Sequence, residues 1–247
     1  MKILIIRHAD PDYEIDGLTE AGKKEARLLA EWFAKQAREK DFRIDAAYQS
    51  PLGRARKTAS YVLDALGITS ETLPWLREFN AKVPRPDADH PTIAWDWLPQ
   101  DLDPEDDFFC EKTWMNPKPM AESDVREKYD AVCEGIDALL LKHGYKKEGH
   151  LYRALQPNHD CIALFCHFGV AAVILSHMLN SSPIPLWHGF CMLPSSITTI
   201  YTEERREGIA AFRVTEFGAL PHLQLAGEEP SFSARFCECY TDDTRHD

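Results

Sequence analysis

LIIRHADPDY, residues 4–13, is the most informative segment of the sequence, because an apolar run ends there in an arginine and a histidine. The run is continuously apolar rather than alternating, a pattern typical of a parallel strand buried on both faces. We therefore predict a buried strand over residues 1–6, with Arg7 and His8 at its carboxyl end. Taken alone, such a basic pair is typical of a solvated strand end. The rest of the chain must show whether the pair belongs to a site.

Strands and helices alternate along the rest of the chain. Helices are predicted from Thr19 to about Lys40, over residues 50–67, from Ser123 to His143 and over residues 169–180. Thr19 and Ser50 are the predicted N-caps of the first two, and Pro51 the first helical residue of the second. Strands are predicted over residues 44–50, 71–76, 160–168, 195–203 and 208–217, the last two as a hairpin. This order predicts an α/β fold of three layers, with helices on both faces of a mainly parallel sheet.

Residues 81–130 differ in character from the rest of the predicted single domain, which spans residues 1–247. They carry 13 acidic and 6 basic side chains together with several prolines and aromatic residues. The aromatic residues make the segment too apolar for a disordered acidic linker, so we predict an inserted, partly irregular, lid-like segment. Two roles for its aromatic side chains remain open. They either pack against a bound substrate or anchor the segment to the core.

Composition excludes some classes of partner. The formal net charge of −12 disfavours nucleic acid and anionic membranes, because both need a basic protein surface. A few arginines can still create a local site for a small anion. The seven cysteines show no framework spacing, and neither a signal-peptide pattern nor an apolar run of about 20 residues is present. We therefore expect a cytoplasmic protein, and its oligomeric state is not readable from the sequence.

Four blocks give the chain a specific resemblance. RHADP (7–11), LTEAGKKEA (18–26), SPLGRARKTA (50–59) and CHFG (166–169) follow one another along the chain, with a weaker fifth, LPWLREF (73–79). LIIRH and ALFCH both end a strand in histidine, and ligands of open α/β sheets bind beyond the carboxyl ends of the strands. In this ordered set the chain resembles the histidine phosphatase superfamily, which contains phosphoglycerate mutases and fructose-2,6-bisphosphatases. FGALPHL (217–223) is similar to the closing strand of that family.

The resemblance implies a role for five residues. His8 would be the nucleophile that forms a phosphohistidine, attacking as a neutral imidazole whose other nitrogen is held by a backbone carbonyl. Arg7 and Arg54 would bind the phosphoryl oxygens, since a guanidinium offers paired donors, and His167 would supply a further donor. Glu78 would be the general acid that protonates the leaving oxygen. The neighbouring Glu71 keeps that last assignment open.

The sequence departs from the family pattern at two positions. The first motif usually has glycine where this chain has Ala9, and the second usually has glycine where this chain has Phe168. Phe168 would narrow the pocket, while Gly169 would keep the turn flexible. Together with Asp10 and Tyr13, which we expect at the entrance, Phe168 is a candidate substrate-pocket residue.

No cofactor and no metal are predicted. The chain has no Walker loop and no dinucleotide fingerprint, and Cys237 and Cys239 with His246 lack the second pair of a structural zinc site. The expected partner is a small phosphorylated substrate.

The sequence leaves three functions open. The favoured one is hydrolysis of a phosphomonoester. The second is a mutase, which needs more basic residues than Lys82 and Arg85 near the pocket. The third is a catalytically silent binding protein, suggested by the two departures from the family motifs.

Overall fold

The core of the fold is a mixed sheet, seen in a computed structural model that describes residues 1–233 and 236–245. In those residues the sheet has eight strands, and two further sheets have two strands each. The first part of the chain forms β1 (Lys2–Arg7), β2 (Pro11–Asp12), β3 (Gly17–Leu18), α1 (Glu20–Lys40), β4 (Ala46–Gln49), α2 (Gly53–Leu66) and β5 (Ser70–Thr72). A single-turn 3-10 helix, Pro74–Leu76, follows β5.

The remaining elements fall into the 81–130 segment and the carboxyl-terminal half. The 81–130 segment contains β6 (Lys82–Val83), β7 (Thr92–Ile93), α3 (Pro99–Leu102), a 3-10 turn (Asp106–Phe109), α4 (Lys118–Ala121) and the start of α5 (Val125–Lys142). After it come β8 (Tyr145–Glu148), β9 (Leu151–Ala154), β10 (Cys161–Cys166), α6 (Phe168–Leu179), α7 (Ile184–Gly189), β11 (Ile197–Arg206), β12 (Ile209–Ala219) and α8 (Pro221–Ala226).

The strand order places β1 at the centre of the large sheet. The order is β5-β4-β10-β1-β11-β12-β9-β8. The first four strands are parallel, and β11 begins an antiparallel half. The predicted α/β class and the closing hairpin of β11 and β12 are confirmed. The hairpin of β8 and β9 was not predicted, because its charged sequence, YKKEGHLYRA, lacks the apolar run of a core strand.

Alternate residues of β1 pack on opposite faces of the sheet. Ile3 and Ile5 belong to a buried cluster with residues of α5 and α6, whereas Leu4 and Ile6 pack against α1 and α2. Burying each such side chain stabilises the fold by about 1.5–3 kcal/mol. The helices therefore cover both faces, as the alternation of elements predicts, and β1 is held rigidly at the middle.

Two helix starts test the predicted caps. Thr19 is the N-cap of α1, and its hydroxyl accepts a hydrogen bond from the Gly22 N–H at 3.0 Å. The predicted start of α2 at Ser50 is wrong, because the helix begins at Gly53. The Ser50 hydroxyl instead accepts from the Leu52 N–H in a turn that precedes the helix.

The 81–130 segment is anchored to the core by its own aromatic residues. Trp97, Phe108 and Trp114 are buried, and the Trp114 ring meets Trp187 of α7 edge to face at 5.8 Å. Phe109 is exposed. Anchoring is therefore the role of most of these side chains, while Trp95 lies elsewhere, as described below. That the segment acts as a lid, and that residues 1–247 form one domain, stay predictions.

No helix among residues 1–233 and 236–245 is both long and apolar enough to cross a lipid bilayer.

Candidate active site

Two parallel strands bring His8 and His167 together. Arg7 at the end of β1 is in register with Cys166 at the end of β10, so the next residue of each strand leaves the sheet at the same edge. The His8 N–H donates to the Cys166 carbonyl at 3.0 Å. The two imidazole centroids are 5.0 Å apart, and both side chains are buried. The sequence-predicted pairing of these histidines is thus present in the fold.

The His8 ring is oriented by a backbone carbonyl. Its Nδ1 lies 2.8 Å from the Ala9 carbonyl oxygen. Because a carbonyl only accepts hydrogen bonds, Nδ1 must carry the proton, and Nε2 presents its lone pair. Burial, and then the Arg7 charge, hold the pKa of His8 well below its usual range. The ring is therefore neutral at physiological pH, the form a nucleophile requires.

His167 is held from the loop that precedes α2. Its Nε2 lies 2.8 Å from the Ser50 hydroxyl, whereas its buried Nδ1 has no partner among the described residues. Burial, then His8 and Arg54, lower its pKa well below the usual range. A bound phosphate dianion would act in the opposite direction, because an opposite charge nearby favours the imidazolium. Nδ1 is therefore the ring nitrogen left for a further hydrogen bond, and in the imidazolium form it would donate that bond to an anion.

Arg7 and Arg54 are both buried beside these rings. The Arg7 Nη1 donates to the Met192 carbonyl, and its Nε has no partner among the residues described. The Arg54 Nη1 donates to Asp16 Oδ1 at 2.7 Å. In each arginine, a hydrogen bond from Nη1 fixes the orientation of the guanidinium at the pocket. Arg54 lies in the first turn of α2, where the helix N-terminus adds partial positive charge.

Asp16 joins Arg54 to the first loop of the chain, and sequence reasoning missed it. Its Oδ2 accepts from the Gly53 N–H at 2.6 Å, while its Oδ1 takes Arg54. Burial alone would raise the pKa of Asp16, but the hydrogen bond from Gly53 and then the Arg54 bond lower it. A Cβ at residue 53 would lie 2.1 Å from the Asp16 carbonyl oxygen, so only glycine permits this approach. The glycine in SPLGRARKTA was the available signal.

Glu78 lies on the wall of a cavity that Arg7 and Arg54 also line, whereas the buried His8 and His167 rings are not among its lining residues. Its Oε1 accepts from the Phe79 N–H at 2.8 Å and from the Val170 N–H at 3.0 Å. Burial raises the pKa of Glu78, although the Phe79 hydrogen bond and then the Arg7 charge oppose the increase. A carboxyl group with a raised pKa retains its proton to higher pH, which suits a proton donor.

Gly169 has no side chain, so Glu78 and Trp95 can pack directly against the first turn of α6. A Cβ there would lie 2.7 Å from Glu78 Oε1 and 2.6 Å from Trp95 Nε1, so any larger residue would displace one of them. Gly169 is helical, in the first turn of α6. The expectation that it forms a flexible turn is therefore wrong, and close packing is its reason.

The cavity has a volume of about 350 Å³ and an apolar side. Its lining residues are Arg7, Tyr13, Leu52, Arg54, Arg77, Glu78, Asn80, Ile93, Trp95 and Phe168. Tyr13 and Phe168 line it as expected, and the Arg54 guanidinium lies 5.3 Å from the Tyr13 ring centroid. Ile93 and Trp95 come from the 81–130 segment, whose contribution the sequence left open. Arg77 was missed because a single exposed arginine has no distinguishing pattern.

Asp10 does not line the cavity, so its predicted place at the entrance is wrong. It is buried, and its carboxylate accepts from Thr19 Oγ1 at 2.6 Å and from the Ser233 hydroxyl. Its N–H donates to Glu25 Oε2 at 2.8 Å. These bonds satisfy a buried polar group by tying the loop after His8 to α1 and to the carboxyl-terminal segment.

Both departures from the family pattern are accommodated. Ala9 has no left-handed backbone, and its N–H donates to the Thr58 hydroxyl at 3.0 Å. The Phe168 ring meets Trp95 edge to face at 5.9 Å and forms part of the apolar wall. Among the described residues, no group of three or more histidine, cysteine or acidic side chains is placed to hold a metal ion. His246, which was considered as a metal ligand together with Cys237 and Cys239, lies outside the described residues.

Fold and site together define an α/β protein in which the ends of two central strands bring Arg7, His8 and His167 together, and the first turn of α2 adds Arg54. The model of the histidine phosphatase superfamily (branch 1) matches residues 3–215, and the chain belongs to this superfamily. The predicted family is thereby confirmed. No curated protein sequence matches the chain.

Solved structures share the fold at low sequence identity. A mycobacterial hydrolase is 18% identical, with a TM-score of 0.56 and coverage of 89% of this chain and 99% of its own. A mutant phosphoserine phosphatase from Entamoeba histolytica, in complex with phosphoserine, is 18% identical, with a TM-score of 0.53 and coverage of 90% and 98%. Mycobacterial glucosyl-3-phosphoglycerate phosphatase, complexed with VO3, is 18% identical, with a TM-score of 0.55 and coverage of 88% and 99%. The second and third of these neighbours are thus phosphatases by name.

Proposed function

We propose that this protein is a phosphatase that hydrolyses a phosphomonoester of a small metabolite through a phosphohistidine on His8. One observation carries the proposal: the His8 and His167 rings lie 5.0 Å apart beside two buried arginines. Membership of the superfamily and the phosphatase neighbours support the same reaction class.

The first step transfers the phosphoryl group to the protein. His8 Nε2 attacks phosphorus in line with the leaving oxygen, so the N–P bond forms as the P–O bond breaks. Arg7, Arg54 and the His167 Nδ1 offset the charge on the equatorial oxygens. Glu78 gives its proton to the departing alkoxide, which leaves as an alcohol.

The second step returns the protein to its starting state. Water attacks phosphorus on the opposite side from His8, and the Glu78 carboxylate takes the proton of that water. The N–P bond breaks, inorganic phosphate is released, and His8 recovers its Nε2 lone pair. With substrate and one water as the reactants, His8 and Glu78 return to their starting states, so protons and electrons balance over the two steps.

The basic residues that a mutase would need are not at the cavity. Arg85 bonds Asp87 at 2.6 Å and lies 3.4 Å from Asp96, and Lys82 is exposed. Neither residue lines the cavity, where Arg77 is the additional cation. A diphosphorylated intermediate would need more positive charge than this, so the site favours hydrolysis over phosphoryl return to the substrate.

A phosphate-release screen tests the proposal. Phosphorylated sugars, glycerates, nucleotides and phosphopeptides are offered to the wild type, to His8→Ala and to the exposed control His150→Ala. We expect release by the wild type and His150→Ala but not by His8→Ala, and an acid-labile phosphoenzyme in the first two. An isomerised product without free phosphate would establish the mutase. Equal release by His8→Ala would overturn the role of His8, and phosphate binding without turnover would indicate the silent protein.

We further propose a cytoplasmic location. Cys110 and Cys237 are exposed and form no disulfide, which is the state that a reducing compartment maintains. Fractionation of the native host with antibody detection tests this, and recovery in a secreted or membrane fraction would contradict it.

A further inference from the structure

The 192–196 loop, between α7 and β11, bonds directly to the Arg7–His8 pair. The Arg7 N–H donates to the Ser196 carbonyl at 3.0 Å, and the Ser195 N–H donates to the His8 carbonyl at 3.0 Å. The Met192 carbonyl accepts from the Arg7 guanidinium. The same short loop therefore holds the backbone of the nucleophile and the side chain of one phosphate ligand.

Ser195 adopts a backbone conformation that disfavours every residue with a side chain. Its φ is +60°, in the left-handed region, where glycine avoids the steric cost. A serine there needs a reason, and its hydroxyl supplies one: Ser195 Oγ lies 2.9 Å from His222 Nε2. Both residues are buried, at 0% and 2% exposure.

His222 has no other polar partner in the described part of the chain. Its Nδ1 is buried without a hydrogen bond, and burial lowers the pKa of His222 to about 4, so the ring is neutral at physiological pH. It lies in α8, in the PHL stretch that follows β12. The one hydrogen bond of this buried imidazole thus goes to the residue that holds the His8 carbonyl.

We propose that His222 and Ser195 are positioning residues, which hold the 192–196 loop so that Arg7 and His8 keep the geometry of phosphoryl transfer. The inference rests on the proposed function and adds to it two residues that do not contact substrate. Losing the bond would remove the interaction that keeps Ser195 left-handed and its N–H aimed at His8. A displacement of about 1 Å in a reacting group costs roughly 100-fold in rate.

Four variants separate positioning from stability. Ser195→Ala keeps the Cβ but loses the hydroxyl, and His222→Leu removes the ring nitrogen at similar volume. His222→Gln restores a side-chain amide that can donate to or accept from the Ser195 hydroxyl near the position of Nε2. Leu223→Ala is the matched control, because Leu223 is buried in the same helix and has no bond to the loop. All are compared as folded protein below their melting temperatures, against the best substrate of the screen.

We expect kcat/KM to fall roughly 10- to 100-fold in Ser195→Ala and His222→Leu, mainly through kcat. His222→Gln should remain within about 5-fold of the wild type. Leu223→Ala should lower the melting temperature without changing kcat/KM by more than about 3-fold. Wild-type kcat/KM in folded His222→Leu, or an equal loss in Leu223→Ala, would overturn the inference.

Binding of inorganic phosphate gives a readout that does not require turnover. Because the loop also holds Arg7, calorimetric titration should show weaker phosphate binding in Ser195→Ala and His222→Leu but not in Leu223→Ala. Unchanged affinity in all three would count against the proposed positioning of Arg7. Failure of the proposed function shows differently, as phosphate release that is absent in the wild type or unaffected by His8→Ala.

Discussion

Replacing Glu78 with glutamine tests the proton donor directly. Glutamine keeps a side-chain oxygen that can still accept from the Phe79 and Val170 N–H groups, at 2.8 and 3.0 Å in the wild type. The variant should therefore fold normally while losing the transferable proton. General acid catalysis contributes about 100- to 10,000-fold, so kcat/KM for an alkyl phosphate should fall by that range.

The leaving group separates this role from others. An alkoxide needs a proton to depart, whereas nitrophenolate is stable as the anion, so Glu78→Gln should retain far more activity on p-nitrophenyl phosphate than on ethyl phosphate. Glu71→Gln is the matched control, because Glu71 is exposed and pairs with Lys142 at 2.9 Å. Steady-state rates of phosphate release on both substrates provide the assay. An equal loss on the two substrates, or a larger effect in Glu71→Gln, would mean that Glu78 is not the proton donor.

The pH profile carries the same prediction with a defined sign. Burial raises the pKa of Glu78, so the acid stays protonated above the usual carboxyl range, and kcat/KM for ethyl phosphate should decrease as pH rises through that elevated value. Burial and the arginines lower the pKa of His8, so the nucleophile should remain neutral throughout the same range. Glu78→Gln should remove the high-pH decrease, and a profile unchanged by the substitution would contradict the assignment.

Three further substitutions follow from distances in the site. Gly169→Ala places a Cβ 2.7 Å from Glu78 Oε1, so urea denaturation should show a free energy of unfolding that is lower by about 1–3 kcal/mol. An unchanged midpoint of the urea transition would contradict this close packing. Asp16→Asn weakens a partly exposed ion pair with Arg54, so the inhibition constant for inorganic phosphate should rise roughly 3- to 5-fold. An unchanged inhibition constant would mean that Arg54 does not need Asp16 in order to bind phosphate. Trp95→Leu should reduce kcat/KM for 2-phenylethyl phosphate more than for ethyl phosphate, and equal losses would mean that the ring is not part of the leaving-group wall.

The parts of the site that follow a strand end were predictable from the sequence. A continuous apolar run specifies a buried strand, and parallel neighbours end at the same edge, so His8 and His167 could be paired across the chain. Thr19 was predictable as a cap because its hydroxyl bonds a residue only three positions away. In each case a local pattern determines the placement.

Residues whose role depends on distant partners were not predictable in this way. Asp10 was expected at the entrance, but it bonds Ser233, more than 200 residues later in the chain. Asp16 bonds Gly53 and Arg54, from which three elements separate it along the chain, and no spacing rule connects them. The start of α2 was not predictable for a related reason. Ser50 lies in a turn before the helix, and its hydroxyl contacts the distant His167 Nε2 instead of capping the helix.

Within the 81–130 segment, different residues anchor the segment and line the cavity, which bears on how substrate preference could diverge. Its buried tryptophans and Phe108 hold it in place, while Ile93 and Trp95 are the two residues it contributes to the cavity. Under the proposed function, the residues of this segment that face the substrate are thus largely different from those that anchor it and from the proposed catalytic residues. A library varied at Ile93 and Trp95 should therefore yield folded variants with new substrate ranges more often than one varied at Trp97 and Phe108. Selection could then alter what enters this cavity while leaving the residues of the proposed reaction unchanged.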